Sequence, residues 1–405
     1  MTDRVLGYGQ QHIGDDDVAA VVAALRGEFL TTGPAVQAFE TAFARAVGAR
    51  HAVACMNGTA ALHLAALALD LKPGDCAIVP AVTFLATANA VRYVGAEPVF
   101  ADVDANTALM SPEHLEAAIV RAPSPPKAVF PVHIGGPSCD MAGIAAVAAR
   151  HGMTVVEDAC HALGTTGDGA GMPFIAGDCR WSRMTVFSAH PVKMMTMGEG
   201  GVVTTNEAHT AKRLARLRNH GLVRDATDFT VREQAFAADE SANPWYYEMD
   251  EVGFNYRASD LQCALGSSQL AKLDRFVERR RVLIRLYEEA LRDAPVRGIE
   301  AETRNFGQRV GWHLFRIRVD FRALGCDRAA FMRRLLRRGV GSQVHYMPLY
   351  RHPYYARRWN RQGLPGAEAY YAGTLSLPLH CNMTDGDVGR VVAAIAEAAE
   401  PGPHA

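Results

Sequence analysis

Four short segments, far apart in the chain, carry residues whose types and spacing could do chemistry together. Asn57-Gly58-Thr59-Ala60-Ala61 lies between an expected strand and an expected helix. Gly58 permits a tight turn there. The free N–H groups of the helix start and the Thr59 hydroxyl could hold a phosphate, helped by the helix dipole. Glu157-Asp158-Ala159-Cys160-His161-Ala162-Leu163-Gly164 directly follows a short apolar strand. An acid at the C-terminal end of such a strand points into the ligand crevice of an open α/β sheet. Phe187-Ser188-Ala189-His190-Pro191-Val192-Lys193 follows another strand and runs on into Gly198-Glu199-Gly200-Gly201. Gly253-Phe254-Asn255-Tyr256-Arg257 precedes a helix, where the Asn255 amide could serve a phosphate.

These segments suit one cofactor, pyridoxal 5'-phosphate (PLP). A lysine condenses with an aldehyde once its amine is neutral, and a neighbouring cation favours the neutral form. Lys193 is the candidate for this Schiff base. A carboxylate at the pyridine nitrogen keeps that nitrogen protonated, so the ring can accept the electrons of a carbanion; Asp158 is the candidate. The freed Lys193 amine could then move a proton between Cα of an amino donor and C4' of the cofactor. Ser188 could add a phosphate contact, and the glycines would let the loop pass close to the ring. Each segment also has a plainer role. Gly58-Thr59 reads as a helix start, Asp158 as a helix N-cap, Lys193 as a solvated loop side chain and Asn255 as a turn residue.

The elements that must position these residues alternate. His51 to Cys55, Cys76 to Val79, Pro98 to Phe100, Ala128 to Val132, Thr154 to Val156, Met184 to Phe187 and Gly201 to Thr204 read as strands. Between them Thr59 to Leu69, Thr83 to Val94, a stretch capped by Ser111, and Met141 to Arg150 read as helices. This rhythm means helices covering a mostly parallel sheet. Two helices precede it. The first is capped by Asp15 to Asp17 and carries Val18, Val21, Val22 and Leu25 on one face; the second runs from Ala35 to Val47. One long helix from Ala258 to Leu291 is expected to bridge to a smaller α/β region, with a strand at Trp312 to Val319 and helices at Arg328 to Arg338 and Val388 to Ala399. Asp225 to Pro244 has weak periodicity and reads as a long surface loop or lid. The expected domains are 1–275 and 276–405.

Composition narrows the class. The chain has 405 residues, 49% of them apolar, enough for a large core. Its 42 basic and 43 acidic residues nearly cancel, so nothing calls for a nucleic acid or an anionic membrane as partner. Arg333, Arg334, Arg337 and Arg338 read as the wet face of a helix. The N-terminus lacks the apolar stretch of a signal peptide, and Ala60 to Leu71 is too short to span a bilayer, so a soluble, cytoplasmic protein is expected. None of the eight cysteines stands in a C-x-x-C pair, which argues against a zinc site or a disulfide framework; no metal is expected.

At the four segments, and nearly end to end from Tyr8 to about Ala398, the sequence resembles the DegT-type sugar aminotransferases of PLP-dependent transferase fold type I. Within that family it is similar to the UDP-sugar 4-aminotransferases of pseudaminic acid biosynthesis. The narrower likeness rests on His190-Pro191-Val192-Lys193 with Gly198-Glu199-Gly200-Gly201, and on Pro244-Trp245-Tyr246-Tyr247-Glu248 leading into Gly253-Phe254-Asn255-Tyr256-Arg257. It rests also on Gln343-Val344-His345-Tyr346-Met347-Pro348, Ala367-Glu368-Ala369-Tyr370-Tyr371 and Ser376-Leu377-Pro378-Leu379.

The resemblance implies an α/β fold, with a large domain built on a mostly parallel sheet and a smaller C-terminal α/β domain. It implies a Schiff base on Lys193, Asp158 at the pyridine nitrogen, and Gly58, Thr59, Ala60 and Ser188 on the phosphate, with Asn255 reaching in from the partner subunit of a homodimer. Phe84 would stack on the ring. His161 stands where this subfamily often has histidine and many relatives have glutamine. Tyr8, Phe29, Leu30, Thr31, His345 and Tyr346 would line the sugar-nucleotide site. The implied reaction takes the amino group of L-glutamate to the 4-keto carbon of a UDP-linked 4-keto-6-deoxy-N-acetylhexosamine. The chain departs from the family pattern at Met194-Met195-Thr196-Met197, where many relatives have a threonine pair. It departs also at Ala189, where a bulky aromatic is common, and at Gly135-Gly136-Pro137, where Gly-Gln-Pro is common. A sugar dehydratase on the same fold is one rival, but in those relatives histidine replaces the lysine that Lys193 retains. A binding protein without turnover is another; the set Asp158, Lys193 and Asn255 argues against it.

Overall fold

A computed structural model describes residues 5–303, 306–359 and 363–400. Helices α1 (Asp15–Leu25) and α2 (Pro34–Val47) open the chain. Seven strands then build the central sheet: β1 (His51–Cys55), β2 (Cys76–Pro80), β3 (Glu97–Ala101), β4 (Ala128–Val129), β5 (Thr154–Asp158), β6 (Met184–Ser188) and β7 (Gly201–Thr205). Their spatial order is β1-β7-β6-β5-β4-β2-β3. The run from β3 to β6 is parallel, and β7 alone is antiparallel to both its neighbours. All five residues of β2 and of β7 are buried, as expected for strands covered on both faces. The α/β architecture read from the alternation of elements is the one observed.

Helix α3 (Gly58–Ala68) follows β1, and α4 (Leu85–Tyr93) follows β2. Ser111 caps Pro112–Arg121 as expected, accepting a hydrogen bond from the His114 N–H. The single long helix expected from Ala258 to Leu291 is instead two, α5 (Asp260–Leu270) and α6 (Leu273–Asp293). No glycine or proline marks the break. Lys272, at the break, pairs with Asp16 and Asp17, so a tertiary tie to α1 accompanies it. The same tie corrects the start of α1. Gly14 is its N-cap, and the three aspartates lie within the first turn; buried Asp17 accepts from the Gly14 N–H, Ser268 and Gln269.

A second, antiparallel sheet of β8 (Ile299–Ala301), β9 (Phe315–Val319) and β10 (Thr374–Leu377) packs with α6 and α7 (Asp385–Ala399) into its own apolar cluster. Of the arginines read as a wet helix face, Arg333 and Arg337 are exposed as expected, while Arg334 and Arg338 are engaged. Arg334 donates to the Ala398 and Glu400 carbonyls, and Arg338 pairs with Glu397, so these two cap the end of α7. A hairpin of Thr166–Gly169 and Met172–Ile175 had no counterpart in the sequence reading; its turn places both Ala170 and Gly171 at positive φ. Residues 225–244 hold a 3-10 turn at Ala226–Asp228, one helical turn at Arg232–Ala235 and an isolated bridge between Phe236 and Ala242, close to the expected surface loop.

Candidate active site

The strand ends gather the chemistry. Asp158 is the last residue of β5, Ser188 the last of β6, and Asn57 the N-cap of α3 just beyond β1. They border one cavity of about 620 Å³, which Tyr8, Gly58, Thr59, Phe84, His161, Lys193, His345 and Tyr346 also line. Ten of the residues singled out by sequence therefore meet in one place.

The phosphate end is built by contact between elements. A Cβ added to Gly58 would lie 2.8 Å from the Ser188 Cβ, so the start of α3 and the end of β6 close into one cradle. Gly201 is equally constrained: its Cβ would lie 2.2 Å from the Asn57 carbonyl oxygen. The Ala60 N–H is engaged, donating to Asn57 Oδ1 at 2.8 Å. The donors left to open the helix toward an anion are therefore those of Gly58 and Thr59.

Asp158 is not a helix N-cap, because turns and no helix follow β5. Its carboxylate is held on both oxygens. The Thr87 hydroxyl donates to Oδ2 at 2.7 Å and the Cys160 N–H to Oδ1 at 3.2 Å; Thr83 in turn contacts Thr87 at 2.9 Å. Lys193 is not a solvated loop lysine. Burial pushes its ammonium below the usual lysine range, and Cys160 and Asp158 offset part of that. An amine so placed gives up its proton more readily, as a nucleophile must.

His161 has a defined tautomer. The Gly135 N–H donates to its Nδ1 at 3.2 Å, and burial, with the Lys193 charge next, holds the ring well below its ordinary pKa. The neutral ring thus carries its hydrogen on Nε2, directed at the Tyr346 hydroxyl 3.4 Å away. Tyr346 accepts there and keeps its own hydrogen to donate. His345 is fixed by Ser376 Oγ at 2.8 Å from its Nδ1, and its carbonyl accepts from Tyr370. Phe84, 52% exposed, is an aromatic face at the cavity and not a core residue.

Other predicted residues are not brought to this cavity by their own chain. Phe29, Leu30 and Thr31 are exposed, with Thr31 bridged to Ser259. Asn255 is exposed and bridged to Asn219. Conversely, Thr87 and His313 escaped the sequence reading. The signal for Thr87 was its place one helical turn after Thr83. His313 packs against His161 with ring centroids 4.3 Å apart and planes tilted by 48°, and carried no signal beyond its place in the expected strand Trp312 to Val319.

Comparison with known proteins settles the relationship. A model of the DegT/DnrJ/EryC1/StrS aminotransferase family matches residues 11–396. The chain belongs to that family. It is 38% identical over 396 residues, 97% of each chain, to the spore coat polysaccharide biosynthesis protein SpsC of Bacillus subtilis. It superposes with a TM-score of 0.86 and 25% identity on Helicobacter pylori PseC, an aminotransferase involved in the biosynthesis of pseudoaminic acid, covering 98% of this chain and 99% of that one. Spr1654 of Streptococcus pneumoniae, solved in PLP and PMP forms, matches at TM-score 0.84 over 98% of both chains, with 25% and 26% identity. This DegT-family protein is thus a PLP-dependent sugar aminotransferase. The residues fit the cofactor: a glycine-floored cradle for phosphate, a doubly held carboxylate and a half-buried lysine border the same space.

Proposed function

We propose that this enzyme moves the amino group of L-glutamate to the 4-keto carbon of a UDP-linked 4-keto-6-deoxy-N-acetylhexosamine, a reaction of the pseudaminic acid type. The observation that carries the reading is the convergence of Lys193, Asp158, Ser188 and the start of α3 on one cavity of about 620 Å³, a size typical of small-molecule sites. The likeness to PseC supports the sugar class.

When bound, PLP supplies an aldehyde for amine exchange and a protonated ring that draws electrons from the bond being broken. Lys193 would hold the cofactor through that aldehyde, and its lowered pKa would supply the neutral amine this needs. The Lys193 amine, which borders the cavity, would be the group that takes up and returns a proton there. Asp158, held by Thr87 and Cys160, would pair with the ring nitrogen and keep it protonated. The Gly58 and Thr59 N–H groups and the Ser188 hydroxyl hold the phosphate; Ala60 contributes the helix turn and not a donor. Phe84 and His161, which line the same cavity, would lie against the ring. Tyr8, His345 and Tyr346 line the sugar end. Asn255, Phe29, Leu30 and Thr31, outside their own chain's cavity, serve the site of a second copy in a homodimer. Domains 1–275 and 276–405 enclose the site between them. A cytoplasmic location rests on the N-terminus lacking the apolar stretch of a signal peptide; none of the described helices is long and apolar enough to cross a membrane.

The test is an absorbance spectrum. Protein reconstituted with PLP should show the visible band of a lysine-bound cofactor. L-Glutamate should bleach it, the UDP-linked keto-sugar should restore it, and Lys193→Ala should never form it. A band that ignores glutamate but answers another amine would replace the donor. Absence of any band would remove the reading.

A further inference from the structure

Helix α6 turns an apolar stripe to the core: Phe276, Val277, Leu283, Ile284 and Tyr287 are buried at helical spacing. Arg280 occupies the middle of that stripe, 1% exposed, where the pattern calls for an aliphatic side chain. Among the described residues no carboxylate pairs with it; its guanidinium donates to main-chain carbonyls instead. Nη1 reaches those of Leu379 at 2.9 Å, His313 at 3.2 Å and Trp312 at 3.4 Å. Nη2 reaches the carbonyl of Lys193 at 3.4 Å. Trp312 and His313 lie just before β9, and Leu379 lies just after β10. One cation thus joins the lysine-bearing loop of the large sheet to the second core.

Burying a charge without a counter-charge is costly. An apolar side chain would fill the slot but leave these carbonyls unpaired, so the arginine ties the lysine-bearing loop to the second core. We propose that Arg280 is a positioning residue for Lys193. It acts through the Lys193 carbonyl, not on substrate, and sets how far the lysine side chain enters the cavity. The inference rests on the assignment of Lys193 as the residue that bonds to PLP.

The experiment reduces PLP-loaded protein with borohydride and maps the peptides by mass, which reads the fraction of Lys193 joined to the cofactor. Melting temperature and steady-state kinetics are measured beside it. Arg280→Met leaves those carbonyls unpaired and should lower the melting temperature, so labelling and kinetics are read well below the melting point of every variant. At limiting PLP Arg280→Met should lose about threefold or more of the Lys193 label, and kcat should fall about tenfold or more. Arg280→Lys should recover part of both, since an ammonium can reach some of the carbonyls but lacks the planar fork that spans them. Equal labelling and equal kcat in parent, Met and Lys proteins would overturn the proposal. So would losses that merely follow melting temperature across Arg280→Met, Arg280→Lys and Arg280→Gln. A parent protein that carries no label on Lys193 would instead sink the lysine assignment, so the two failures are distinct.

Discussion

In the proposed chemistry Asp158 serves the ring nitrogen only while its carboxylate faces it, and Thr87 and Cys160 fix that facing. A hydrogen bond to a charged group contributes about 1.5–3 kcal/mol. Thr87→Val should therefore lower kcat about tenfold or more, with Thr87→Ser restoring most of it. A Val variant with unchanged kcat would show that the carboxylate is oriented without the hydroxyl. The histidines near Lys193 set a second residue-scale expectation. Burial holds His161, His313 and His345 below their ordinary pKa, His345 down to about 3, and the Lys193 charge adds to this in each. Below about pH 6.5 the unfolded chain takes up protons at these positions while the folded chain does not. Stability is thus complete above that pH and falls as pH drops from about 6.5 toward 3, by at most about 1.4 kcal/mol per pH unit for each histidine. His345→Gln should flatten the urea-unfolding free energy across this window; parallel curves for parent and variant would refute the assignment. Lys193, Asp158 and Ser188 were legible because each stands at a strand end or in a glycine-bordered loop. Thr87 was not, since its partner lies 71 residues away and a threonine early in a helix looks ordinary.

At the scale of elements, the cradle between α3 and β6 leaves no room for a side chain at Gly58. A methyl there would lie 2.8 Å from the Ser188 Cβ and 3.1 Å from its Oγ, so helix start and strand end must part. Gly58→Ala should raise the Kd for PLP about tenfold, read by titrating the visible band. Its melting temperature should change little, because alanine improves the helix by up to about 1 kcal/mol while the crowding opposes it. A variant that binds PLP as tightly as the parent would detach Ser188 from the phosphate end. The elements themselves were legible where a period ran unbroken between capping residues, as at Ser111 before Pro112–Arg121. They were not legible where tertiary ties decide. The apolar pattern runs straight through the break between α5 and α6, and only the pairing of Lys272 with Asp16 and Asp17 distinguishes that point. The hairpin at Thr166–Gly169 and Met172–Ile175 turns on Ala-Gly, not on the Asn-Gly or Asp-Gly that usually signals such a turn.

For the whole molecule, alternation of strand and helix was enough to give the sheet, but the single chain leaves apolar helix surface exposed. The α1 stripe is the plainest case: Val18 is 54% and Leu25 57% exposed. Phe29 and Leu30 continue that exposed surface toward α2, while Asn255 stands exposed outside its own cavity. A two-fold dimer would cover such a stripe and could bring Asn255 to the other copy's phosphate cradle. The purified protein should then scatter light at twice the 43.8 kDa chain mass. A sharper test asks where Asn255 works. Lys193→Ala and Asn255→Ala each impair every site of their own homodimer. Unfolded together in equal amounts and refolded, the two chains form mixed dimers. If Asn255 acts across the interface, one site of each mixed dimer inherits both defects and the other inherits none. Random pairing then restores up to about a quarter of parental activity. If Asn255 acts within its own chain, every site keeps one defect and mixing restores nothing, so recovery of activity separates a shared site from two self-contained ones.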